Sequence, residues 1–190
     1  MTLAFPRIAT LATCLLLLVG CSTPELSPAD RIQVNAVQSR WDVTVPKSKL
    51  VLSLPKGDLQ IAESIGVGAA ASPRYFVLKG RTTGTIVSGW FEPAERQSDL
   101  RASWRKEMEG LKQNGFAPPT NIEETEVNGM ETILYGIPMP KGSSAHARCS
   151  FVRSGTWLDL HLSISGDGSP AQSREQLVAL LRTLQITDKP

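Results

Sequence analysis

Hydrophobic and polar residues alternate with period two over much of this chain, and switch to helical spacing in two places. The clearest alternation covers residues 156–165. Leu158, Leu160, Leu162 and Ile164 fall on one face of a predicted strand, and Trp157, Asp159, His161 and Ser163 on the other. Ser154-Gly155 joins this strand to one over residues 145–153. A second hairpin is predicted for residues 123–127 and 131–137, around Asn128-Gly129, a dipeptide that adopts positive φ at low cost. A third links residues 75–79 to 85–91 across Gly80 to Gly84, and Gly89 beside Trp90 marks a close approach by another backbone or a large ring. Upstream, residues 41–45 and 49–54 read as strands bounded by Pro46 and by the turn Pro55-Lys56-Gly57-Asp58, and residues 59–65 as a strand or a short irregular piece.

Helical spacing appears first over residues 98–114. Leu100, Trp104, Met108 and Leu111 share a face, with Ser98 as the expected N-cap, Asp99 in the first turn, and Asn114-Gly115 as the stop onto which Phe116 folds back. A Trp-Met stripe of this kind is a packing face. The second helix opens on Ser169-Pro170-Ala171-Gln172, with Ser169 as N-cap, Pro170 at the first helical position and Gln172 at capping-box distance. Leu177, Leu180, Leu181 and Leu184 form its apolar stripe, and residues 187–190 read as a short tail.

The first 20 residues read as a secretory signal: Arg7, then an apolar run over residues 8–19 interrupted only by Thr10 and Thr13. That run is well short of the roughly 20 residues a spanning helix needs. Leu18-Val19-Gly20-Cys21 follows and resembles the bacterial lipobox. The resemblance implies cleavage before Cys21, a thioether diacylglycerol on its sulfur, and a further acyl chain such as palmitate on its amino group. Cleavage of an ordinary signal at small residues is the alternative, and Leu18 suits it poorly. Ser22, in place of an aspartate, points to the outer membrane. Residues 21–40 read as lipidated N-terminus and tether, with Pro24 and Pro28 keeping it extended, although Ile32, Val34 and Val37 leave residues 31–37 open between tether and structure. Residues 41–187 read as a single globular domain.

Apolar content of 41% and charged content of 20% are those of an ordinary folded domain. A net charge of +2, with the charges spread, leaves no footprint for nucleic acid. Of three cysteines, Cys14 lies in the signal and Cys21 at the anchor, so Cys149 has no disulfide partner; in phase with Ala147 and Phe151, it reads as a buried, inert thiol.

Candidate chemistry is sparse. Asp159 and His161 face the same way and could act as a base and its orienter, or as two metal ligands. No nucleophile motif accompanies them, and His146 is the only other histidine. A structural role for both is expected, with no catalytic, cofactor-binding or metal residues. Gly66-Val67-Gly68 lacks the lysine and the strand-helix context of a phosphate loop. Glu123, Glu124 and Glu126 read as a solvated strand edge.

The element order resembles the PsbP/DcrB-like family over residues 41–186: an early strand ending in Pro55-Lys56-Gly57, the Trp90-Phe91 strand, the Leu100 to Leu111 helix, the Val127-Asn128-Gly129 turn, the Trp157-Leu158-Asp159-Leu160 strand and the Leu177 to Leu184 helix. The resemblance implies an α+β fold, an α/β/α sandwich in which a mostly antiparallel sheet is flanked by two helices. It implies no shared catalytic motif, since most members of that superfamily are not enzymes. The expected function is a lipid-anchored binding or accessory module of the cell envelope, held to the membrane through Cys21 and facing the periplasm, with an envelope protein or a small ligand as partner. An inhibitor or immunity lipoprotein acting through residues 66–72 or 138–144 is the alternative, and a hydrolase using Asp159 and His161 a more remote one.

Overall fold

The computed structural model describes residues 32–35, 38–44, 47–62 and 75–189. Cys21, Gly66-Val67-Gly68 and the rest of the 66–72 loop lie outside them. The described residues form eleven strands in two antiparallel sheets, with two α-helices and a short 3-10 helix, Ala94–Arg96. The larger sheet has seven strands. In spatial order they are β4 (Leu59–Ile61), β5 (Tyr75–Gly80), β6 (Gly84–Pro93), β10 (Thr156–Gly166), β9 (Ser143–Arg153), β8 (Met130–Pro138) and β7 (Thr120–Val127). The smaller sheet has four: β1 (Ile32–Asn35), β2 (Arg40–Val43), β3 (Leu50–Pro55) and β11 (Gln185–Asp188).

Turn chemistry sets the hairpins. Asn128-Gly129 takes φ of 54° and 74°, and Ser154-Gly155 takes 50° and 72°, the double positive pair that matches the right-handed twist of two joined strands. The β5–β6 turn is held by Asp58, whose carboxylate accepts from the backbone N–H of Thr82 and of Thr83, both at 2.9 Å. Those bonds hold its pKa far below the ordinary carboxylate value.

The core lies between the two sheets. Leu158, Leu160 and Leu162 of β10, Phe76 and Leu78 of β5 and Val87 and Phe91 of β6 meet Leu50, Leu52 and Leu54 of β3 and Trp41 and Val43 of β2. Helix α2 (Pro170–Thr183) completes this layer with Leu177 and Leu181, both fully buried. Its predicted capping box is present. Helix α1 (Leu100–Gln113) packs on the other face of the large sheet, where Leu100, Trp104 and Met108 meet Ile133, Tyr135 and Ile137 of β8. Its N-cap is Asp99, which accepts from the backbone N–H of Ala102 at 2.5 Å, in place of the expected Ser98.

The α/β/α sandwich expectation is therefore corrected. The fold is β-rich, with two antiparallel sheets and only two α-helices among the described residues. A second sheet, and not helices alone, faces the main sheet. The reason is physical: alternation in β2 and β3 shows which side chains are buried, not what they are buried against. Thr187 and Asp188, expected as part of the 187–190 tail, belong to the strand Gln185–Asp188 of that second sheet, Thr187 pairing with Val51, and Ile32 to Asn35 pair with β2. Arg40 ties the layer together: its guanidinium donates to the Ser53 hydroxyl at 2.9 Å and to the Thr183 carbonyl at the C-terminal end of α2 at 2.7 Å.

Gly89 sits where β6 crosses the core. A Cβ built there would lie 2.6 Å from the Asp159 carbonyl oxygen and 3.1 Å from the Phe76 ring. Both the close backbone and the large ring expected from the sequence are present. Gly89→Ala should cost about 1–3 kcal/mol through overpacking. Gly110→Ala, with nothing within 4 Å of the added atom and a helical backbone, should be neutral or stabilising by up to about 1 kcal/mol. Denaturant midpoints of the two variants check the contrast.

Candidate functional site

The candidate residues gather in a polar seam on the α1 side of β9 and β10. Alternation sends Trp157, Asp159, His161 and Ser163 out of the core on β10, and Ser144, His146, Arg148 and Ser150 out of it on β9. In the register, Asp159 lies opposite Ser150, His161 opposite Arg148, and Ser163 opposite His146. The long polar side chains reach diagonally across these pairs.

Asp159 and His161 share a face, as expected, but each takes its own partner. Asp159 accepts from the Arg148 guanidinium at 2.8 Å, and Glu107 of α1 approaches the same guanidinium at 3.8 Å. His161 Nε2 lies 3.2 Å from His146 Nδ1. His146 Nε2 lies 2.7 Å from the Ser144 hydroxyl, which lies 2.9 Å from that of Ser165. The base-and-orienter pair is thus not assembled from Asp159 and His161. What forms is an ion pair beside a hydroxyl–imidazole–imidazole chain. Tyr135 stacks on His146 with ring centroids 5.1 Å apart, and Trp104 of α1 meets Tyr135 edge-on. Trp157 Nε1 donates to the Ser150 hydroxyl at 3.0 Å. Sequence reasoning missed Arg148, His146 and Ser144 as partners. The signal that finds them is register: once β9 is set antiparallel to β10, these side chains must face the same seam.

Burial dominates the electrostatics here. It lowers His146 to about 4 and His161 to about 3, the neighbouring imidazole and Arg148 adding to the shift at His161. Burial also raises Asp159, with Arg148 opposing. Both rings are therefore neutral near pH 7, and their shared hydrogen bond needs at least one neutral ring to accept, since two imidazoliums have only donors to offer. Among the described residues no group of three His, Cys, Asp or Glu side chains is placed to hold a metal ion. Ser144 is 6% exposed, so its hydroxyl has little access to solvent.

Cys149 points to the opposite face. It is fully buried, accepts from the Thr132 hydroxyl at 3.6 Å, and burial pushes its pKa up to about 12. In the acidic run, Glu123 pairs with Arg174 of α2 and Glu124 with Arg101 of α1, so the edge strand is pinned to a helix on each side. The 138–144 loop reduces to a short turn at Met139 to Gly142 between β8 and β9.

No protein-family model matches the chain, and no curated protein matches it. A solved structure from Bacteroides thetaiotaomicron VPI-5482 is similar at 13% identity with a TM-score of 0.44, over 80% of this chain and 50% of that one. The match thus spans half the length of that neighbour, and a likeness this loose carries no argument about activity.

Two predictions follow from the seam. Arg148→Met leaves the Asp159 carboxylate buried without its cation. With side chains 19% and 13% exposed, the loss should be about 2–3 kcal/mol at pH 7, below that of a fully buried pair. Adding Asp159→Asn should recover part of it, as a double-mutant cycle by denaturant unfolding would show. The second concerns pH. Both histidines bind protons less readily folded than unfolded, where the ordinary value is about 6.5. Stability therefore falls as pH drops through about 6.5, by up to about 1.4 kcal/mol per pH unit for each ring, until the folded values near 4 and 3 are reached. The raised Asp159 acts in the opposite sense at the acid end. Unfolding free energies between pH 7 and 4.5 should slope accordingly, and His146→Gln with His161→Gln should flatten the slope.

Proposed function

We propose that the chain is a lipid-anchored, non-enzymatic binding or accessory module of the bacterial envelope, attached through Cys21 to the outer membrane and facing the periplasm. The observation that supports the non-enzymatic part is that Asp159 and both histidines are committed to neighbours: Asp159 to Arg148, His161 to His146, His146 to Ser144. A general base needs a lone pair free to take a proton near its working pH, and a hydrolytic centre needs donors aimed at developing charge. Two buried imidazoles held neutral to about pH 4 and below make a poor reservoir of protons at pH 7. As hydrogen-bonded packing they stiffen the centre of the large sheet. The anchoring part is supported by Leu18-Val19-Gly20-Cys21 at the end of the apolar run, and acyl chains contribute about 0.8 kcal/mol per buried methylene.

Cys21→Ser should move the protein out of the membrane fraction, while the parent should band with outer membrane on a density gradient. A variant retained in the pellet as fully as the parent overturns the anchor. His161→Gln should leave in-cell crosslinking to envelope partners unchanged. Stoichiometric metal in the purified protein, lost in that variant, would replace the accessory reading with a working centre on β10.

A further inference from the structure

One end of α1 and the chain leaving it present apolar surface bordered by cations. Met108, Leu111, Pro118 and Ile137 line a groove of 240 Å³. Arg105 and Lys112 stand on its rim, with Glu109 as the acid among them. Phe116, whose backbone N–H returns to the Leu111 carbonyl at 3.1 Å, is 52% exposed. Met139, two residues beyond Ile137 at the end of β8, is 46% exposed. These are two of the five large hydrophobics exposed among the described residues. Lys141 follows in the same turn. Arg105, Lys112 and Lys141 make no salt bridge among the described residues.

We propose that this groove, with the exposed Phe116 and Met139 close in the chain to its lining residues, rests on the headgroup region of an anionic bilayer and holds the domain against the membrane in one orientation. The proposal rests on the anchoring of Cys21. Charge complementarity favours a lipid surface: large apolar side chains flanked by Lys and Arg are the composition of interfacial contacts, and each cation near an anionic surface adds attraction. Chain length supplies the proximity. Ile32, where the sheets begin, is eleven residues on from Cys21. That distance spans at most about 40 Å. A domain of this size has a radius of gyration of about 15 Å. Faces within that reach of Ile32 can therefore touch the bilayer, and tethering at an effective concentration near millimolar lets a weak patch select among them. Phe116 and Met139 then enter the acyl boundary, and Arg105, Lys112 and Lys141 take the phosphates.

The test places a polarity-sensitive dye at Ala117→Cys in the full lipidated chain, with the dye at Val152→Cys, near the far end of β9, as the control. Buried Cys149 gives little background. The chain is added to vesicles of phosphatidylcholine alone and to vesicles holding a third phosphatidylglycerol, and flotation is recorded beside dye emission. The expected result is flotation on both, with a blue shift at residue 117 that is larger on the anionic vesicles and absent at residue 152. Lys112→Gln should lower the docked-to-undocked ratio about fivefold. Phe116→Ser with Met139→Ser should abolish the shift while flotation persists. Flotation with no shift at residue 117, or with equal shifts at both positions, overturns the docking surface and leaves the anchor standing. Failure to float on neutral vesicles, with flotation and the residue-117 shift retained on anionic ones, overturns the anchor and leaves the surface. Failure on both kinds of vesicle overturns both.

Discussion

The register of β10 is the constraint on which the rest of the structure depends. It lies between β6 and β9 at the centre of the seven-stranded sheet, and from Leu158 to Ile164 it alternates leucine or isoleucine with polar residues. Its apolar residues face β3 and α2 across the core, and its polar residues face α1 across the seam. A slip of one residue would push Asp159 and His161 between the two sheets and put three leucines in the polar seam. Few errors in this fold would cost more, because the core between the sheets is built against this strand and the polar seam includes its other face.

The two faces do different work. On the core side, burial of branched and aromatic side chains between sheets provides the non-directional drive, and Cys149 behaves there as one more small hydrophobe. On the seam side, an ion pair and a short hydrogen-bond chain provide direction, while Trp104 Nε1, Tyr135 Oη and Arg148 Nε are buried there without a hydrogen-bond partner among the described residues. The Arg148–Asp159 pair and the Ser144–His146–His161 chain fix how β9 and β10 meet, and Tyr135 and Trp104 carry that order into α1. Such a network opposes alternative pairings because breaking the Arg148–Asp159 pair or the histidine chain would leave further buried polar groups without partners. It stiffens the sheet centre, while at the rim the edge strand is held to the helices by Arg101 and Arg174.

By itself the sequence determined what depends on near neighbours along the chain. Asn128-Gly129 and Ser154-Gly155 specify their turns because few other pairs accept two positive φ angles. Ser169, Pro170 and Gln172 specify the start of α2, Gly89 announces a crowded crossing, and alternation assigns Cys149 to the core and His161 to the opposite face. What only the tertiary structure decided were the pairings between remote segments. Nothing local says that Ile186 hydrogen-bonds beside Leu52, that residues 40–55 form a second sheet in place of leaving a face to helices, or that Asp159 meets Arg148 while His161 meets His146. A hydrophobic pattern encodes which side of an element avoids water, and many partners can supply the cover. Choosing among them takes the summed fit of the whole chain.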